Sequence, residues 1–129
     1  MSYTTDHKAA ARRLRDAATT LYDHEKPAVS GYLFGLATEC ALKFVAATFP
    51  NGRGEDIQRE HFPGLRTALR LIAEGRRATG LRRLVGSDVF MNQWSIDMRY
   101  ARNEDFHTKP IDVWKQNATA ALNLMEGWH

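Results

Sequence analysis

Over residues 27–49 apolar side chains return every three or four positions and never alternate in twos, a period that calls for an α-helix and excludes a strand. Leu33, Leu36, Ala37, Cys40, Ala41, Phe44 and Thr48 fall on one face of that helix. Pro27 suits its first turn, where a missing N–H costs no hydrogen bond, and it drives Lys26 out of helical geometry, so the preceding helix must stop there. Pro50-Asn51-Gly52 ends the segment. Gly31 and Gly35 lie one turn apart and let a neighbouring backbone come close. Glu39 and Lys43 interrupt the apolar run and leave only 12 uncharged residues, 27–38, too short to span a bilayer.

The same period recurs on both sides. Residues 5–23 read as a helix with Ala10, Leu14, Ala17, Leu21 and Tyr22 inward. After a polar loop over 51–62, residues 63–77 read as a third helix with Leu65, Leu69 and Ile72 inward, and 80–86 as a short helical turn. Ser87 has the chemistry of an N-cap for a fourth helix facing the core with Phe90, Met91, Trp94, Met98 and Ala101. Beyond a loop over 104–110, Trp114, Ala118, Ala121, Met125 and Trp128 mark a fifth. No segment alternates long enough for a strand. The expected fold is all-α: an up-and-down helical bundle of four to five helices, in one domain over residues 1–129.

A chain of 129 residues, 43% of them hydrophobic, can close one core. The single cysteine, Cys40, excludes an internal disulfide and a cysteine metal cluster. The first eight residues are polar and lack the apolar middle of a secretory signal, so the expected location is cytoplasmic, without a membrane partner. Net charge is only +3, but 13 of the 18 basic residues are arginine. Six of those lie within 66–83, where Glu74 is the only acid. Arginine's planar fork suits bidentate contact with phosphate, and Arg66, Arg70 and Arg77 share a stripe if the third helix is continuous. As a cluster they are candidate RNA contacts; singly, each fits a solvated helix face.

Several short segments, in order, resemble the HEPN family of small helical RNA-processing and nucleotide-binding domains. The first is the small-residue helix start that runs into Glu39-Cys40-Ala41-Leu42-Lys43. His61 then stands ahead of Leu65 and Leu69, and Arg99-Tyr100 follows Trp94. Active members of that family carry an arginine, usually followed by a polar residue, and a histidine four to six residues beyond. Arg102-Asn103-Glu104-Asp105-Phe106-His107 fits this pattern with four residues between. The resemblance implies catalytic roles for Arg102 and His107, with Asn103 in the polar slot. It implies metal-independent cleavage of RNA without a cofactor, a homodimer that brings two motifs into one cleft, and a partner such as a cognate antitoxin or a nucleotidyltransferase.

The chemistry gives the pattern a reason. RNA carries its own nucleophile, the 2′-hydroxyl, so a histidine that titrates near neutrality can move the proton while an arginine holds the crowded phosphate. Five residues along an ideal helix is about 140° of rotation, so the two side chains share a face only if the helix ends near Asn103 or a second subunit contributes. Against this stands a plainer account in which Arg102 pairs with Asp105 or Glu104 and His107 is a loop histidine. Glu39 and Lys43 have the order of a favourable surface pair, Arg99 has reach toward Glu39, and His61 suits a helix start. Two readings of the whole chain follow: a metal-independent endoribonuclease, or a non-catalytic HEPN-like module that binds nucleotide, RNA or a partner protein.

Overall fold

The computed structural model describes residues 3–128. Six α-helices occur among them: α1 (His7–Asp23), α2 (Pro27–Ala46), α3 (Glu55–Gln58), α4 (Gly64–Ile72), α5 (Thr79–Val85) and α6 (Ile111–Glu126). Short 3-10 turns cover Pro50–Gly52, Arg76–Ala78, Ile96–Tyr100 and Asn103–Phe106, and no strand is present among the described residues. The fold is all-α, as the periodicity requires.

Helix α2 lies at the centre, with α1 and α6 packed along it. Phe34, Ala37, Ala41, Leu42 and Val45 are fully enclosed, and Leu33, Leu36, Cys40 and Phe44 pack around them. Apolar residues thus cover most of its circumference, which is the pattern of a helix covered on several sides. By length and composition α2 could cross a membrane, and 61% of its apolar window is buried inside the fold. The two glycines admit indole rings rather than a backbone. Trp114 lies against Gly31, and a Cβ at Gly35 would stand 1.9 Å from the ring of Trp94.

Helix α1 starts at His7, where the Asp6 carboxylate accepts from the Ala9 N–H at 2.9 Å and so fixes the first turn. Its buried face is Ala11 and Ala18, whereas Ala17 is exposed and Ala10 only half-covered. Leu14 and Tyr22 pack against the core as expected, and the two alanines that belong to the face are Ala11 and Ala18 instead of Ala10 and Ala17. Two methyl-sized side chains seven apart let α1 approach α2 closely, and alanine carries too little apolar signal to mark that face in advance.

The third helix is shorter than its period suggests. Helix α4 stops at Ile72, and the chain then reverses through Gly75, whose φ of +84° lies in the left-handed region glycine adopts freely. Arg77 therefore sits in the separate Arg76–Ala78 turn, not on a stripe with Arg66 and Arg70. The loop before α4 carries α3 and two buried anchors, Ile57 and Phe62.

The fourth helix does not form. Residues 87–95 are turns and extended backbone, Met91 and Gln93 have positive φ, and only Ile96–Tyr100 coils, as a 3-10 turn capped by Ser95. Phe90, Met91 and Trp94 are buried as expected, but Ala101 is exposed. Other elements satisfy this backbone. Arg66 donates to the carbonyls of Ser87, Asp88 and Phe90 at 3.1–3.4 Å, and the Asn117 side-chain oxygen accepts from the Met91 N–H at 2.8 Å. The indoles of Trp94 and Trp114 donate to Gly31 and Asn92 carbonyls at 3.1 and 2.9 Å. With its polar groups and large side chains accommodated in this way, the segment gains little from helical hydrogen bonds.

Helix α6 buries Trp114, Ala118, Ala121, Leu122 and Met125. Trp128, just past its end, donates to the Thr48 hydroxyl at 2.9 Å and ties the last described residue to the end of α2.

Candidate functional site

At the start of α2 three shallow recesses run into one another. The first, of about 500 Å³, is lined by Glu25 to Val29 together with Asn103 and His107. The second, of about 580 Å³, shares His107, Glu25 and Pro27 and continues past Phe106 and Lys109 to Tyr22 and Asp112. The third, of about 250 Å³, shares Ala28, Val29 and Asn103 and extends to Tyr32, Met98 and Arg99. Together they form one groove floored by the first turns of α2 and walled by residues 98–112.

The turn that carries the sequence motif is placed by one buried side chain. Phe106 is enclosed, which pins the Asn103–Phe106 turn and leaves its flanks outward. Arg102 precedes the turn in extended backbone and His107 follows it, with its N–H donating to the Glu104 carbonyl. Asn103 and His107 are thus brought to the same groove. Arg102 lines none of the three recesses; its side chain is 80% exposed and reaches Asp105 at 3.6 Å. That ion pair is the plainer arrangement the sequence allowed, and at such exposure it contributes little to stability.

Four of the six arginines of residues 66–83 are engaged within the chain. Arg70 donates from Nε to the Val85 carbonyl at 2.6 Å and from a terminal nitrogen to Gly86 at 3.3 Å, covering carbonyls left open at the end of α5. Arg66 holds the carbonyls that follow, and Arg82 bonds back to Ala73 and Gly75 beyond the end of α4. Arg77 lies over the rings of Phe49 and Trp128 at 5.7 and 4.9 Å. Arg66 and Arg70 come together; Arg77 stands apart from them. Comparison with protein-family models, curated proteins and solved structures finds no match.

Glu39 and Lys43 are not a surface pair: only 2% and 6% of each is exposed. The Glu39 carboxylate faces His61 Nδ1 at 2.8 Å and accepts from the Phe62 N–H at 2.8 Å. Burial pushes its carboxyl up, while the bonds from His61 and Phe62 pull it back down. His61 lies ahead of the Pro63 cap of α4, not at the helix start itself, and it anchors the chain entering α4 to α2. Arg99 does not reach Glu39. It donates to the Tyr32 hydroxyl at 3.0 Å and lies over the rings of Tyr32 and Tyr100.

Sequence reasoning missed the use of Arg66 and Arg70 as carbonyl caps and the Arg99–Tyr32 contact. The i,i+4 spacing of Arg66 and Arg70 was visible, but nothing in the periodicity announced that a non-helical segment would lie beside them. Among the described residues no three His, Cys, Asp or Glu side chains gather as a metal site.

Proposed function

We propose that this chain is a HEPN-like, metal-independent endoribonuclease that acts as a homodimer. The observation that supports it is the placement of Asn103 and His107 in one groove, with the guanidinium of Arg102 projecting outward from the same turn. His107 takes the proton of the RNA 2′-hydroxyl as the 2′-oxygen–phosphorus bond forms. The phosphorus–5′-oxygen bond breaks, and the proton that His107 took returns through water to the leaving 5′-oxygen. Asn103 orients the phosphate, and an arginine from across the two-fold axis stabilises its extra negative charge. A composite site suits a motif whose arginine lies outside the groove its histidine lines. A protein partner that covers this turn, such as a cognate antitoxin or a nucleotidyltransferase, would restrain the reaction.

The test is cleavage of RNA in the presence of a chelator, with products analysed for a 2′,3′-cyclic phosphate. Arg102→Ala and His107→Ala are each expected to abolish cleavage. Both residues are exposed, so stability should shift by no more than about 0.5 kcal/mol. Full activity in both variants would sink the assignment. A non-catalytic binding module is the second reading, favoured by Arg102, which lines none of the recesses and pairs with Asp105. It takes precedence if the wild-type protein binds RNA or a partner and cleaves nothing.

A further inference from the structure

We propose that Tyr32 and Arg99, at the end of the groove that Asn103 and His107 line, and Tyr100 just outside it form a nucleobase-stacking subsite. The inference rests on the reading that RNA occupies this groove. Its support is a stack built outward from the core. Trp94, buried and hydrogen-bonded to Gly31, lies nearly parallel to Tyr32, with ring centres 6.0 Å apart and planes inclined by 13°. Arg99 lies over Tyr32 at 5.9 Å and over Tyr100 at 5.7 Å, and its bond to the Tyr32 hydroxyl fixes the guanidinium. Tyr100, at the end of the Ile96–Tyr100 turn, is 84% exposed.

A tyrosine so exposed contributes little to the core, and the planar groups beneath it are already ordered. That arrangement suits an unstacked base, which binds single-stranded RNA by lying on aromatic rings and arginine planes. Tyr32, Arg99 and Asn103 share one recess, and Asn103 also lines the recess that holds His107. A base seated beside Arg99 would therefore direct its phosphate along the groove toward Asn103 and His107. The subsite would order one nucleotide next to the scissile bond.

The experiment uses the full-length protein and an uncleavable 2′-O-methyl RNA oligonucleotide that carries 2-aminopurine, whose fluorescence is quenched on stacking. Wild type should bind and quench it. Tyr100→Ala should lose the quench and bind about tenfold more weakly, the effect of losing one stacked base. Tyr100→Phe should retain both, since the ring and not the hydroxyl does the stacking. Tyr3→Ala, an exposed tyrosine far along the chain from the Arg99 cluster, is the control and should match wild type. On cleavable RNA, Tyr100→Ala should raise KM and leave kcat near the wild-type value. Unchanged quench and affinity in Tyr100→Ala would overturn the subsite even if cleavage depends on His107. Equal losses in Tyr100→Ala and Tyr100→Phe, or failure of wild type to bind the oligonucleotide, would also overturn it. If quenching depends on Tyr100 while no RNA is ever cleaved, the subsite stands and the ribonuclease reading falls.

Discussion

The packed trio of α1, α2 and α6 and the irregular stretch over residues 87–110 bury comparable kinds of side chain by opposite means. In the trio the backbone satisfies itself, so the side chains need only fill space: Ala11 and Ala18 allow close approach, and Gly31 makes room for Trp114. In the irregular stretch the backbone depends on donors and acceptors from elsewhere, chiefly Arg66 and Asn117. The groove with Asn103 and His107 is walled by this second region. A surface whose shape is set by side chains from other elements can hold turns that a helix could not, and it is more easily disturbed.

The largest expected effect falls where the two regions interlock. Trp94 fills the space over Gly35, so Trp94→Ala should cost about 3–5 kcal/mol by leaving a large cavity. Gly35→Ala should destabilise by about 1–3 kcal/mol or more, because the new methyl meets the indole within the core. Chemical denaturation of both variants measures this. Stability near wild type in either would mean that Trp94 does not hold the irregular stretch to α2.

A smaller effect should divide the regions. Arg66→Ala and Arg70→Ala each leave carbonyls near the end of α5 without a charged donor, at an expected cost of about 1–3 kcal/mol. Amide exchange should quicken over residues 85–95 and stay slow in α2 and α6. Uniform acceleration would show that the two regions unfold as one. Asp6→Ala should cost about 0.5–2 kcal/mol through fraying of the first turn of α1 alone.

The trio was largely legible in the sequence, because three-to-four spacing reports helices whose sides differ in polarity. Pro27 marked the boundary between α1 and α2 through local chemistry. Leu14 and Tyr22 were placed correctly on the inner face of α1; what failed was the choice among its alanines, where Ala10 and Ala17 read no differently from Ala11 and Ala18. The fourth helix failed for another reason. Phe90, Met91 and Trp94 were correctly read as buried, yet burial at helical spacing does not require a helix when Arg66 and Asn117 satisfy the backbone. The motif of Arg102 and His107 was legible as spacing; that only His107 would line the groove depended on Phe106 being the anchor.

The smallest expected effect concerns acid. Burial, and then the charge of Lys43, hold the His7 imidazole below its ordinary value of 6.5. The folded chain therefore binds fewer protons there than the unfolded one. The contribution is fully present above about pH 6.5 and is lost as pH falls through the lowered folded value. His7→Gln should remove that part of the acid sensitivity, seen as a shallower fall of Tm below pH 6.5. Parallel curves for wild type and variant would contradict it.

The composite site proposed for the irregular region is tested most directly by subunit mixing. Arg102→Ala and His107→Ala are purified separately, unfolded together and refolded, and RNA cleavage is measured against each variant alone. If the arginine of one copy serves the histidine of the other, the mixture should recover about a quarter of wild-type activity. Half of the randomly assembled two-fold dimers are then mixed, and each mixed dimer has one intact site of two. Activity no greater than the sum of the two inactive variants, from a refolded mixture shown to contain mixed dimers, would contradict the composite site.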